Sequence, residues 1–169
     1  MHKIKVKKKG GHARIGLFAD MAIKIFIDQG HNPVNPNAGA EGQGLREQDI
    51  TYDIGVRLAA LLNADPDFSA RLSRENDSVV LGTSNASSLR LRVEAANAWD
   101  ADLFISLHTN AATSAAANGS EALVFRRDSE AFRIAEVVLA SLTRTAGTRK
   151  GSRPPLAVGV EKSSNARTI

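Results

Sequence analysis

The chain has no cysteine, which excludes disulfides, a thiol nucleophile and cysteine-ligated zinc. That absence does not fix the compartment, since many exported bacterial proteins also lack cysteine. One tryptophan and one tyrosine leave little material for stacking single-stranded nucleic acid. No apolar run approaches the roughly 20 residues that span a bilayer, so no transmembrane segment is expected. No Gly-x-x-x-x-Gly-Lys-Ser/Thr and no Gly-x-Ser-x-Gly occurs, which disfavours a P-loop and a nucleophile elbow. The glycines of Gly39-Ala40-Glu41-Gly42-Gln43-Gly44 are not in Gly-x-Gly-x-x-Gly order, and they follow a proline-rich loop. A dinucleotide site is disfavoured on both counts.

Acidic residues are scarce in one place. Residues 1–20 carry Lys3, Lys5, Lys7, Lys8, Lys9 and Arg14 against only Asp20. The net charge of +4 and the pI near 9.7 therefore belong to a short leader, and the body is close to neutral. This argues against a nucleic-acid-binding body. The leader has no periodic apolar face and no continuous apolar stretch of the kind a secretory signal needs. It reads as a disordered tail, vector-derived sequence or upstream read-through before a start at Met21, expected to pack poorly against the rest. Weak attraction to anionic polymers such as cell-wall material is its functional alternative.

What remains, residues 21–169, has the length of one ordinary domain. Residues 23–28 read as a buried strand, 29–44 as a loop, and 49–62 as a helix with Ile50, Ile54, Leu58, Leu61 and Leu62 on its core face. A short strand is expected at 70–73. A helix follows at 89–99, capped by Ser87 or Ser88, with Leu89, Val93, Ala96 and Trp99 facing the core. Strand 103–107, a small-residue loop 111–119, strand 121–125, helix 129–145 ending near Gly147, and an apolar run 156–160 complete the pattern. Strands alternating with helices predict a single α/β domain, with a mostly parallel open sheet and helices on both faces.

Only two histidines lie in the body, His31 and His108, and each closes an apolar strand-like run. In an open α/β sheet the carboxyl ends of parallel strands converge on the ligand crevice. Between them in sequence stands Glu47, at the predicted start of a helix. Two imidazoles and a carboxylate with one open position form a recognised ligand set for catalytic zinc. A lone histidine after a strand is commonly structural, however, and Glu47 at a helix start also suits the helix dipole. Asp28, Asn110 and Glu121, polar groups near strand ends, are candidate partners for orienting an imidazole.

The flanking residues add weight. Ile25-Phe26-Ile27-Asp28-Gln29-Gly30-His31, Gly44-Leu45-Arg46-Glu47 and Phe104-Ile105-Ser106-Leu107-His108-Thr109-Asn110-Ala111 resemble the three zinc-ligand motifs of the zinc-dependent N-acetylmuramoyl-L-alanine amidases, bacterial and phage enzymes that cut peptidoglycan. Leu72-Ser73-Arg74, Ser88-Leu89 with Arg92-Val93, Ala96-Asn97, Ala101-Asp102 and Gly119-Ser120-Glu121 follow in the family's order, so the resemblance covers roughly residues 22–150. It implies Zn2+ held by His31, Glu47 and His108, and hydrolysis of the amide between N-acetylmuramic acid and L-alanine. It also implies work in the cell wall or periplasm, or in a phage-infected cell until lysis, by a protein expected to be monomeric.

There is one departure from the family pattern. The family's catalytic glutamate lies late in the domain, on a Pro-Ala-Val-Leu-Val-Glu strand followed by Gly-Phe, and no such segment occurs. Glu161, in Val158-Gly159-Val160-Glu161, imitates the local pattern but comes too early. The expectation is a chain that ends just before its general base, leaving the catalytic residue unknown. Loss of a positioned base lowers turnover by ~10²–10⁴-fold. A zinc-containing cell-wall-binding module without turnover is the alternative, and a zinc peptidase acting within the stem peptide is a third.

Overall fold

The first apolar run forms strand β1, Ile23–Gln29, in the computed structural model, which describes residues 22–109 and 119–145 and the backbone of 156–161. After it come a hairpin of β2 (Glu41–Gly42) and β3 (Leu45–Arg46), helix α1 (Glu47–Asn63) and strand β4 (Phe68–Leu72). Helix α2 (Asn85–Ala98), β5 (Leu103–Thr109), β6 (Ser120–Leu123), α3 (Glu130–Thr145) and β7 (Leu156–Glu161) follow. The leader, the loop 110–118, Asn110 with it, and Gly147 lie outside the described residues.

The main sheet has the order β4-β1-β5-β7-β6. β1 runs parallel to β4 and β5, and β6 runs parallel to β7, whereas β5 and β7 are antiparallel. The sheet is thus mostly parallel with one reversal. The reversal has a physical reason, because a parallel crossover needs a dozen or more residues and usually a helix. β5 and β6 are joined by a shorter segment, so the direction can invert there.

Alternation along β1 sorts the core. Ile25 and Ile27 point to the face where Ala59 of α1, Leu107 of β5, and Ala131 and Ala135 of α3 close in. Phe26 points the other way, stacking on Phe104 at 5.9 Å and meeting Ala96, Ala101 and Trp99 around α2. Helices therefore cover both faces, α1 and α3 on one and α2 on the other.

The two helices nearest the site bury polar stripes that a hydrophobic-periodicity argument does not find. In α1 the buried residues are Glu47, Gln48, Thr51, Gly55 and Ala59. Ile54, Leu58 and Leu62 pack on the core rim, but Leu61 is 73% exposed. In α2 the buried stripe is Ser88, Arg92 and Ala96, with Leu89 and Val93 only half-buried. The helix also begins earlier than expected. Ser84 is its N-cap, accepting from the Ser87 N–H, and the Ser87 hydroxyl reciprocates toward the Ser84 N–H. This is a capping box with serine in both roles.

Candidate metal centre

The site is assembled at the carboxyl end of β1 and β5. Gly30 N–H donates to the Leu107 carbonyl at 3.0 Å, tying the residue after β1 to the neighbouring strand. His31 follows with a φ of +69°, a left-handed backbone that turns its ring toward β5. His108 is inside β5 rather than after it. The loop from 32 onward returns through the β2–β3 hairpin and delivers Glu47 as the first residue of α1.

The three predicted ligands converge. His31 Nε2 lies 3.1 Å from His108 Nδ1 and 3.2 Å from Glu47 Oε2, and His108 Nδ1 lies 3.2 Å from Glu47 Oε1. The imidazole rings meet edge to face, 4.8 Å between centroids. Glu47, 6% exposed, also accepts from Thr109 N–H at 2.8 Å and Ala40 N–H at 3.2 Å. Burial by itself raises the Glu47 carboxyl pKa. Hydrogen bonds from His108, His31 and the Ala40 N–H, with the charge of His31, outweigh this and hold it well below the usual carboxylate range.

Such a donor set fits a tetrahedral cation. Ligand atoms 2.0–2.1 Å from one such ion stand about 3.3–3.4 Å apart, and the three separations here are 3.1–3.2 Å. Neutral imidazole has one acceptor nitrogen and one donor nitrogen. With the acceptor nitrogens turned inward, two imidazoles and a carboxylate facing one point could hold a shared cation.

Supporting residues were harder to foresee. A Cβ on Gly30 would fall on the Leu107 carbonyl oxygen and 2.6 Å from His108 Cε1. A Cβ on Gly39 would stand 2.8 Å from Glu47 Cβ and 2.9 Å from His31 Cδ2. Both glycines are spacers that let the ligands meet, and nothing in their local sequence marks them. Asp28, expected as a partner for an imidazole, instead binds Arg92 at 2.6 Å and Ser106 at 2.7 Å. Burial tends to raise the Asp28 pKa, but the Arg92 charge and hydrogen bonds from Arg92, Ser106 and Ser73 lower it overall. Glu121 lies on β6 and is not in the three-residue cluster found among the described residues. Glu161 is registered opposite Phe104, whereas Ala157 is opposite His108. At about 3.3 Å per residue this sets its backbone roughly 13 Å along the strand from His108.

Arg46, Asn32 and Gln48 brace the intervening loop. The Arg46 guanidinium donates to the Pro33 carbonyl and to Glu41. Asn32, fully buried, donates to the Pro36 and Leu81 carbonyls and accepts from Leu81 N–H. Gln48 accepts from Gly39 N–H.

Comparison with known proteins finds relatives in both sequence and fold. An N-acetylmuramoyl-L-alanine amidase structure from Clostridium difficile 630 has a TM-score of 0.64, covering 83% of this chain and 79% of that one; at 24% identity this shows a common fold. N-acetylmuramoyl-L-alanine amidase LytC of Bacillus subtilis (strain 168) is 38% identical over 127 residues, 74% of this chain and 24% of LytC. A sporulation-specific N-acetylmuramoyl-L-alanine amidase of the same organism is 43% identical over 89 residues, 52% of this chain and 31% of that relative. The chain thus spans about a quarter to a third of the length of these curated relatives. The family model for N-acetylmuramoyl-L-alanine amidase matches residues 25–168, and the chain belongs to that family.

Proposed function

We propose that the chain is a zinc-dependent hydrolase of the amide between N-acetylmuramic acid and L-alanine in peptidoglycan, with His31, Glu47 and His108 as the zinc ligands. The observation that carries this reading is the convergence of the three donors at 3.1–3.2 Å. Zinc supplies Lewis acidity toward an amide carbonyl and acidifies water when it is bound. The chain's residues do the rest. His31 Nε2 and His108 Nδ1 present lone pairs from two backbone positions fixed by the sheet. Glu47 is held as a carboxylate by the Ala40 and Thr109 backbone N–H groups, which donate to it.

Glu47 is the only carboxylate grouped with the imidazoles among the described residues, and in this reading it is a ligand. The Glu161 backbone is registered opposite Phe104 rather than His108. Peptidoglycan as substrate places the working site in the cell wall or periplasm, or in an infected cell for a phage protein.

The test is to incubate zinc-loaded protein with purified peptidoglycan and follow newly freed L-alanine amino termini. Release that disappears with chelator and in the His31→Ala variant supports the reading. Sedimentation with cell walls without any release would replace it with a non-hydrolytic binding module. Cleavage within the stem peptide would point to a peptidase.

A further inference from the structure

We propose that Arg92 is a positioning residue for the metal centre, its guanidinium clamping the backbone that presents His31. The inference rests on the assignment of His31, Glu47 and His108 as metal ligands. Arg92 projects from α2 and is 1% exposed. Its Nη1 donates to Asp28 Oδ1 at 2.6 Å, the Gln29 carbonyl at 2.7 Å and Ser73 Oγ at 3.4 Å. Its Nη2 donates to the His31 carbonyl at 2.7 Å and Asn32 Oδ1 at 2.9 Å, and its Nε to Ser88 Oγ at 3.4 Å.

One planar group thus holds the carbonyls on either side of Gly30. The Gly30 carbonyl itself accepts from the Thr51 hydroxyl at 2.8 Å, from the opposite side of the sheet. Three consecutive carbonyls, 29 to 31, are each held by a side chain from a helix. A non-glycine residue at φ +69° persists only where its surroundings over-determine it, and this clamp is what over-determines His31. Asp28 balances the buried charge, so the cation is free to act on neutral carbonyls. A lysine ammonium can pair with Asp28, but it lacks the rigid fork that spans two carbonyls and Asn32.

A purely structural Arg92 would affect stability and leave metal affinity alone, which gives the experiment. Zinc dissociation constants, from competition with a chelating dye, are measured beside the melting temperature of the metal-free protein. The variants are Arg92→Lys, His31→Ala and Leu142→Ala, the last trimming a core contact from α3 away from the site. Arg92→Lys is expected to weaken zinc about 10–100-fold, as loss of groups supporting ligands does. Leu142→Ala is expected to melt earlier with zinc affinity unchanged. Unchanged zinc affinity in Arg92→Lys overturns the inference, whatever its melting temperature. Unchanged affinity in His31→Ala would instead overturn the ligand assignment beneath it. Should Arg92→Lys fail to fold, the double variant Asp28→Asn/Arg92→Met removes both buried charges together, a change such pairs tolerate far better. It is expected to show the same zinc loss, and wild-type affinity there overturns the inference equally.

Discussion

Gly30 and Gly39 stand where three candidate ligands from three elements have to approach within hydrogen-bonding distance. A methyl group at Gly30 collides with backbone, the Leu107 carbonyl, which cannot swing away as a side-chain tip would. Gly30→Ala should therefore cost about 1–3 kcal/mol of stability, the usual penalty for overpacking, and should also weaken zinc by displacing His108. Denaturant melts together with zinc titration check both effects. A variant that melts like wild type would show that the strand ends have more freedom than this packing allows. The three side chains that converge were legible in the sequence because two histidines and a glutamate are chemically conspicuous. The glycines were not, since the need for a missing Cβ arises only when residues 30 and 107, or 39 and 47, are brought together in space. Asp28 shows the same limit. Its place at a strand end suggested an imidazole partner, but strand alternation turns it to the α2 face, where Arg92 waits.

At the scale of single elements, strand positions followed closely from apolar runs, whereas helix faces near the site did not. A hydrophobic stripe predicts burial only where the facing surface is apolar. The carboxyl end of this sheet presents Asp28, Gln29 and the polar turn after it, so α1 and α2 answer with Thr51, Gln48, Ser88 and Arg92. Leu61, in the last turn of α1, is left in solvent, and Leu61→Gln should change stability by less than about 0.5 kcal/mol, as surface substitutions do. A large loss in a denaturant melt would restore it to the core. The capping box gives a prediction of the opposite kind. Ser84→Ala removes the acceptor for the Ser87 N–H and should cost about 1 kcal/mol. Ser87 and Ser88 were the sequence candidates for this cap. Serine clusters hide their own cap, because each hydroxyl suits the role and only the first residue outside helical geometry performs it, here Ser84 with φ −152° and ψ 164°.

Across the whole molecule, the layered α/β arrangement was legible from alternation, whereas the reversal between β5 and β7 leaves no mark on strand composition and showed only in the short connection from β5 to β6. Two long-range ties respond to pH, the buried Asp28–Arg92 ion pair and, by this reading, the metal centre. Asp28 has a carboxyl pKa lowered below the ordinary 3.8 by Arg92. Its contribution to stability is present above the unfolded value and is lost as pH falls through the lower folded value. Stability should thus decline in acid below about pH 4, where unfolded carboxyls begin to protonate, and less steeply in Asp28→Asn, which has no carboxyl to protonate there. In the proposed reading zinc adds a second tie, since His31, Glu47 and His108 join the end of β1, the start of α1 and the end of β5. Binding to the folded state alone at a hundredfold excess over Kd stabilises by about 2.7 kcal/mol. For a chain of this size that is a rise in melting temperature of roughly 5–11 °C, and a chelator should remove it. The increment should shrink on acidification, because imidazole and carboxylate ligate only when deprotonated. It should vanish in Glu47→Ala at every pH. A zinc-dependent rise of full size in Glu47→Ala would mean that the ion binds elsewhere on the chain and that these three side chains do not form its site.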